Sequence, residues 1–173
     1  DKHRISFYNQ IKIIMKRYCF VLALLALSFQ QTIAQCVNET AIRNFFAAID
    51  AGNFDQAARY LSPDLQVHLP LSPEPLNLEA YKQLGMGFKA GFPDIRHQIL
   101  EVVENGNTAG FKGWFSGTNT GSLMGNPPSN NKVSLPFIGY FKFDATGKII
   151  EINSQFDLAR FNAQLMGNTD SNK

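Results

Sequence analysis

The residues best suited to moving a proton lie near the end of the chain, in Glu151-Ile152-Asn153-Ser154-Gln155-Phe156-Asp157. Strand alternation puts Glu151, Asn153, Gln155 and Asp157 on one face, and Ile150, Ile152 and Phe156 on the other. Facing solvent, the polar set makes an ordinary half-exposed strand. Facing a cavity, it lines a pocket with a carboxylate at its base. Asp157 has a second job open to it, because it stands where a helix N-cap belongs. His68 alternates against Leu65, Val67 and Leu69, so it faces away from them. Its ring is either a surface or satisfied core residue, or a group that orients a substrate. His97 follows a turn on a strand and ranks below it. Trp114 sits in a strand whose neighbours are of both characters, and it packs a core or walls a pocket.

Other chemistries lack their residues. Beyond residue 34 the histidines are His68 and His97, with no Cys or carboxylate at metal-ligand spacing. No glycine-rich phosphate loop follows a strand, and no serine stands in a nucleophile-elbow sequence. Any reaction must therefore run on carboxylates, imidazole, amides and aromatic walls, and no metal or cofactor is expected.

These side chains need a frame. Ile42, Phe45, Phe46 and Ile49 recur at helical spacing from about residue 38 to Ala51, where Gly52 stops the helix. Phe54, Ala57, Ala58 and Leu61 suggest a short second helix ended by Ser62-Pro63, and Leu65–Leu69 a short strand. Prolines at 70, 73 and 75 force an irregular stretch before a third helix over about Leu78–Ala90. Four strands follow, near Ile95–Glu104, Thr108–Ser116, Val133–Phe143 and Lys148–Phe156. Asn105-Gly106-Asn107 and Ala145-Thr146-Gly147 turn the first and last pairs into hairpins, and Gly117–Asn131 is a long loop. A final helix spans about Asp157–Met166, and residues 168–173 form a polar, frayed tail. Helices followed by hairpin-linked strands predict an α+β fold, a bent antiparallel sheet with N-terminal helices enclosing one pocket. Its expected core is Ile42, Phe45, Phe46, Ile49, Leu84, Phe88, Ile99, Val102, Phe111, Trp114, Phe137, Phe141 and Ile149.

The 173 residues suit one domain, and fifteen Phe suggest a core or cavity walled by rings. Lys16-Arg17 precedes the apolar run Tyr18–Leu27, and Thr32-Ile33-Ala34 supplies small-residue cleavage chemistry. Residues 15–34 thus read as a signal peptide cut before Gln35, and the protein as exported, periplasmic or secreted. The apolar run is shorter than the roughly 20 residues of a membrane span. Met15 reads as the start, and residues 1–14 as an upstream segment. Residues 35–167 form the domain. Cys36 is the one cysteine left there, so no disulfide is expected within it; membrane attachment would require a lipid on Cys36, and Gln35 is large for that signal. Removing five basic and one acidic residue from sixteen and fourteen leaves −2, which argues against nucleic acid as a partner.

Several short segments resemble one known family in order and spacing. They are Phe92-Pro93-Asp94-Ile95-Arg96, Trp114-Phe115-Ser116-Gly117-Thr118-Asn119-Thr120-Gly121, Met124-Gly125-Asn126-Pro127-Pro128, Gly147-Lys148-Ile149-Ile150-Glu151 with Phe156-Asp157-Leu158, and Gln164-Leu165-Met166-Gly167. Over about residues 38–167 the chain resembles the SnoaL-like polyketide cyclases, or ester cyclases, of the nuclear-transport-factor-2-like superfamily. The resemblance implies a cone-shaped α+β fold and cofactor-free aldol-type cyclisation or isomerisation of a small apolar carbonyl compound. Asp157 matches the family's acid/base aspartate, which favours the inward reading of its face. The family usually has His where Asn119 stands and Trp where Asn153 stands. By this reading Asp157 is the general acid/base, His68, Asn119 and Asn153 orient the substrate, and Trp114 walls the pocket. The alternative is an exported, non-catalytic binder of a small hydrophobic molecule. The resemblance also implies a homodimer through the outer sheet face.

Overall fold

The computed structural model describes residues 38–168. The expected leader and cleavage site, Cys36 and most of the tail lie outside the described residues. Helix α1 covers residues 38–50, α2 Phe54–Ala58, α3 Leu78–Gly91 and α4 Leu158–Leu165. The strands are β1 Leu61–His68, β2 Arg96–Asn105, β3 Thr108–Thr118, β4 Lys132–Phe143 and β5 Ile149–Phe156. No helix among the described residues is long and apolar enough to cross a membrane.

The strands form one sheet in the order β1-β5-β4-β3-β2. The pairs β2–β3, β3–β4 and β4–β5 are antiparallel as expected. The remaining pair, β1 with β5, is parallel, so the sheet is mixed. This pairing joins segments some ninety residues apart, and no local pattern encodes it. β1 also starts at Leu61, taking in Ser62-Pro63. Pro63 is tolerated because β1 is an edge strand whose register shifts between Leu61 and Gln66.

Alternation sends Ala109, Phe111, Phe115, Val133, Leu135, Phe137 and Phe141 to the inner face, where all are buried. Helix α1 lays Ile42, Phe45 and Phe46 against them, each at most 6% exposed. Phe141 sits among Phe45, Phe46 and Phe111 with ring centroids 5.0–5.7 Å apart. Two inner-face glycines make room for these rings. A Cβ at Gly113 would fall 2.8 Å from the Phe137 ring, and one at Gly139 2.8 Å from Phe111 and 2.2 Å from the Asn153 carbonyl.

Of the expected core, Trp114 is misplaced. It is 39% exposed and lies on the outer face, between Gly113 and Phe115, which point in. Beside it on that face stand Pro136, its register partner, and Ile138, 59% exposed.

Helix α1 ends as its Gly52 predicts. Gly52 adopts φ +73°, its N–H donates to Ile49 O at 2.9 Å, and Asn53 N–H donates to Ala48 O at 2.9 Å. This stop leaves Asp50 in the last turn, facing the start of β2.

Candidate functional site

A cavity lies between α1, α3 and the inner face of the sheet. Its walls are Phe46, Ile49, Leu84, Phe88, Phe115 and Phe137, with further Leu, Ile and Phe side chains. Three of the lining residues have polar side chains: Tyr81 from α3, His97 from β2 and Ser154 from β5.

His97 is held from both sides. Its ring stacks on Phe46 at 5.0 Å and meets Phe115 and Phe137 edge-on at 5.4 and 5.6 Å. Its Nδ1 lies 2.6 Å from Asp50 Oδ1, and its backbone N–H donates to Asp50 Oδ2 at 2.8 Å. Both side chains are largely shielded, at 15% and 19% exposure. A carboxylate in the last turn of a helix sits against the helix dipole. The two hydrogen bonds from His97 compensate it. Because a carboxylate only accepts, Nδ1 carries the hydrogen of this contact, and Nε2 is the ring nitrogen that Asp50 does not engage. Lys89 secures the arrangement, donating to Asp50 O at 2.5 Å and to Pro93 O at 2.8 Å. It thereby ties the helix end that carries Asp50 to the turn that leads into β2. Burial pushes the Tyr81 phenol well above its ordinary range, which keeps the hydroxyl proton in place as a hydrogen-bond donor for a ligand.

The side chains expected at the site lie elsewhere. Asp157 is exposed and caps α4, accepting from Arg160 N–H at 2.9 Å. It does not line the cavity, because on β5 Ile152, Ser154 and Phe156 point inward and the polar alternates point outward. Asn153 and His68 are brought together, in register across β5 and β1, but on the outer face. There they flank Glu151, which Lys142 and Tyr140 hold below the usual carboxylate range by donating at 2.8 and 2.6 Å. Trp114 stands on that face too.

Asn119 is buried, 2% exposed, but its side chain is spent on the main chain. Nδ2 donates to Gly91 O at 3.0 Å and Gly121 O at 2.9 Å, and Oδ1 accepts from Ser129 N–H at 2.8 Å. It pins the long loop to the end of α3, and both of its N–H donors are taken. Replacing Asn119 by Ala takes these partners from Gly121 O and Ser129 N–H, and it is expected to lower stability by about 1–3 kcal/mol in chemical denaturation. An unchanged denaturation midpoint with lost ligand binding would return Asn119 to a substrate-contacting role.

The sequence reading ranked His97 below His68 and passed over Asp50, yet both had a signal. Ile95, just before β2, alternates with His97 and Ile99 on one face, with Arg96 and Gln98 on the other. A single imidazole in an otherwise apolar row marks a ring turned toward the interior. For Asp50 the signal is an acidic residue just before the glycine that stops a helix.

Comparisons with known proteins agree with this architecture. Among solved structures, a candidate SnoaL-like polyketide cyclase from Jannaschia sp. CCS1 superposes with a TM-score of 0.68 at 19% identity, covering 76% of this chain and 92% of that one. IdmH from Streptomyces antibioticus, a candidate polyketide cyclase, gives 0.65 at 22%, over 74% and 97%. TsrD from Streptomyces laurentii gives 0.66 at 21%, over 78% and 97%. At these identities the likeness speaks for the fold. No curated protein sequence matches. The model of the SnoaL-like polyketide cyclase family matches residues 39–165, nearly all of the described domain. The chain therefore belongs to the SnoaL-like polyketide cyclase family.

Proposed function

We propose that this protein is a cofactor-free acid–base catalyst acting on a small enolisable carbonyl compound, with His97 as the base and Asp50 as its positioning residue. The observation that carries this reading is His97 in the wall of an apolar cavity, with its Nδ1 2.6 Å from the Asp50 carboxylate behind it. Nε2 takes the proton α to the carbonyl, and the bonding pair moves onto the carbonyl oxygen as an enolate. Tyr81 or Ser154 donates a hydrogen bond to that oxygen. Asp50 stabilises the imidazolium that forms. Returning the proton at another carbon is an isomerisation. Attack of the enolate carbon on a second carbonyl of the same molecule closes a ring, as the family's cyclase chemistry requires; the π pair of that carbonyl moves onto its oxygen, and the resulting alkoxide takes the proton back from the imidazolium.

The protein is further proposed to work outside the cytoplasm after cleavage near Gln35, on the strength of its leader-like segment. It is also proposed to pair with a second copy through the outer face bearing Trp114, Pro136 and Ile138.

The test is deuterium exchange. Incubation of small enolisable ketones with the protein in D2O, followed by NMR, should show α-proton exchange above the buffer rate, with a rate that falls when Asp50 is replaced by Asn. Ligand binding without any accelerated exchange would overturn catalysis in favour of a non-catalytic binding protein.

A further inference from the structure

The cavity specifies more than the reaction. Its volume is about 120 Å³. For scale, a dry apolar cavity of about 150 Å³ takes up benzene. The space between α1, α3 and the sheet therefore holds about one six-membered ring. It has little room to widen toward the sheet. Phe115, Phe137 and Phe46 already pack against His97 at 5.0–5.6 Å, and Gly113 is filled by the Phe137 ring.

The lining also selects by charge. It contains no Lys, Arg, Asp or Glu. A carboxylate ligand would give up its hydration here and find no free cation, because the carboxylate of Asp50 already faces His97. A neutral carbonyl loses far less on entry and recovers it from the Tyr81 or Ser154 hydroxyl.

We infer that the substrate is an uncharged, single-ring carbonyl compound, or an open chain of equal bulk, and that fused polycycles and carboxylates are refused. This rests on the proposed function for its choice of a carbonyl; the limits of size and charge come from the cavity alone.

Isoleucine-methyl-labelled protein titrated with three probes tests it: cyclohex-2-enone, benzoate and anthrone. These are a neutral single ring, a charged single ring and a neutral fused three-ring ketone. Cyclohex-2-enone is expected to shift the methyl signals of Ile49, Ile95 and Ile152, which line the cavity. Benzoate should need at least about tenfold more ligand, and anthrone should leave these signals in place. Anthrone or benzoate moving them at concentrations equal to or below that of cyclohex-2-enone would overturn the inference, as would silence toward all three. Titration reads binding without turnover. Selective binding of cyclohex-2-enone with no deuterium exchange overturns the catalytic reading alone, and exchange proceeding on anthrone overturns this one alone.

Discussion

Replacing His97 by Gln should lower the rate of α-proton exchange by about 10²–10⁴-fold, the usual range for a lost general base. The amide side chain fills much of the same space and cannot accept a proton at neutral pH. The fold should survive, because the backbone N–H of residue 97 still donates to Asp50. Far-ultraviolet circular dichroism and the denaturation midpoint check this. Asp157→Asn is the informative control. Asp157 is exposed and only accepts from Arg160 N–H, and Asn caps a helix about as well. Its exchange rate should match that of the parent protein. The opposite pattern, loss at Asp157 with retention at His97, would relocate the chemistry to the end of β5.

The second large effect concerns stability. Phe141→Ala should cost about 3–5 kcal/mol, read as a shift of the urea midpoint at constant slope. Phe141 is fully buried, and its ring meets Phe45, Phe46 and Phe111 within 5.7 Å. Truncation leaves a void bounded by the sheet on one side and α1 on the other. Neither can collapse without moving rings that pack elsewhere. A cost below about 1 kcal/mol would mean that these rings do not form the core.

Most of the frame was legible because its signals are local. Gly52, Asn105-Gly106-Asn107 and the row Phe137, Phe141 and Phe143 each announce their element within a few residues. The parallel β1–β5 pairing is not local, and the hydrophobic pattern of β1 suits either direction. The site was harder for a different reason. Alternation divides β5 into two faces and leaves open which of them looks inward. Matching Asp157 to the family's aspartate favoured the polar face, whereas Ile152 and Phe156 are the side chains that point into the cavity. Trp114 misled in the same way: a large ring in mid-strand suggests a core, yet Phe111 and Phe115 had already claimed the inner face. Asn119 was expected to orient a substrate, and it holds a loop instead. What it contacts, three main-chain groups brought together by a loop, depends on how that loop closes.

Trp114 is the only tryptophan in the chain, and it stands on the side of the sheet away from the cavity. The indole is thus a fluorophore that faces outward. A ligand entering among the phenylalanines has no direct route to quench it. A second molecule settling over Pro136 and Ile138 would cover it and move its emission to shorter wavelength. Intrinsic tryptophan emission, so often taken as a gauge of ligand uptake, would in this protein report on self-association instead.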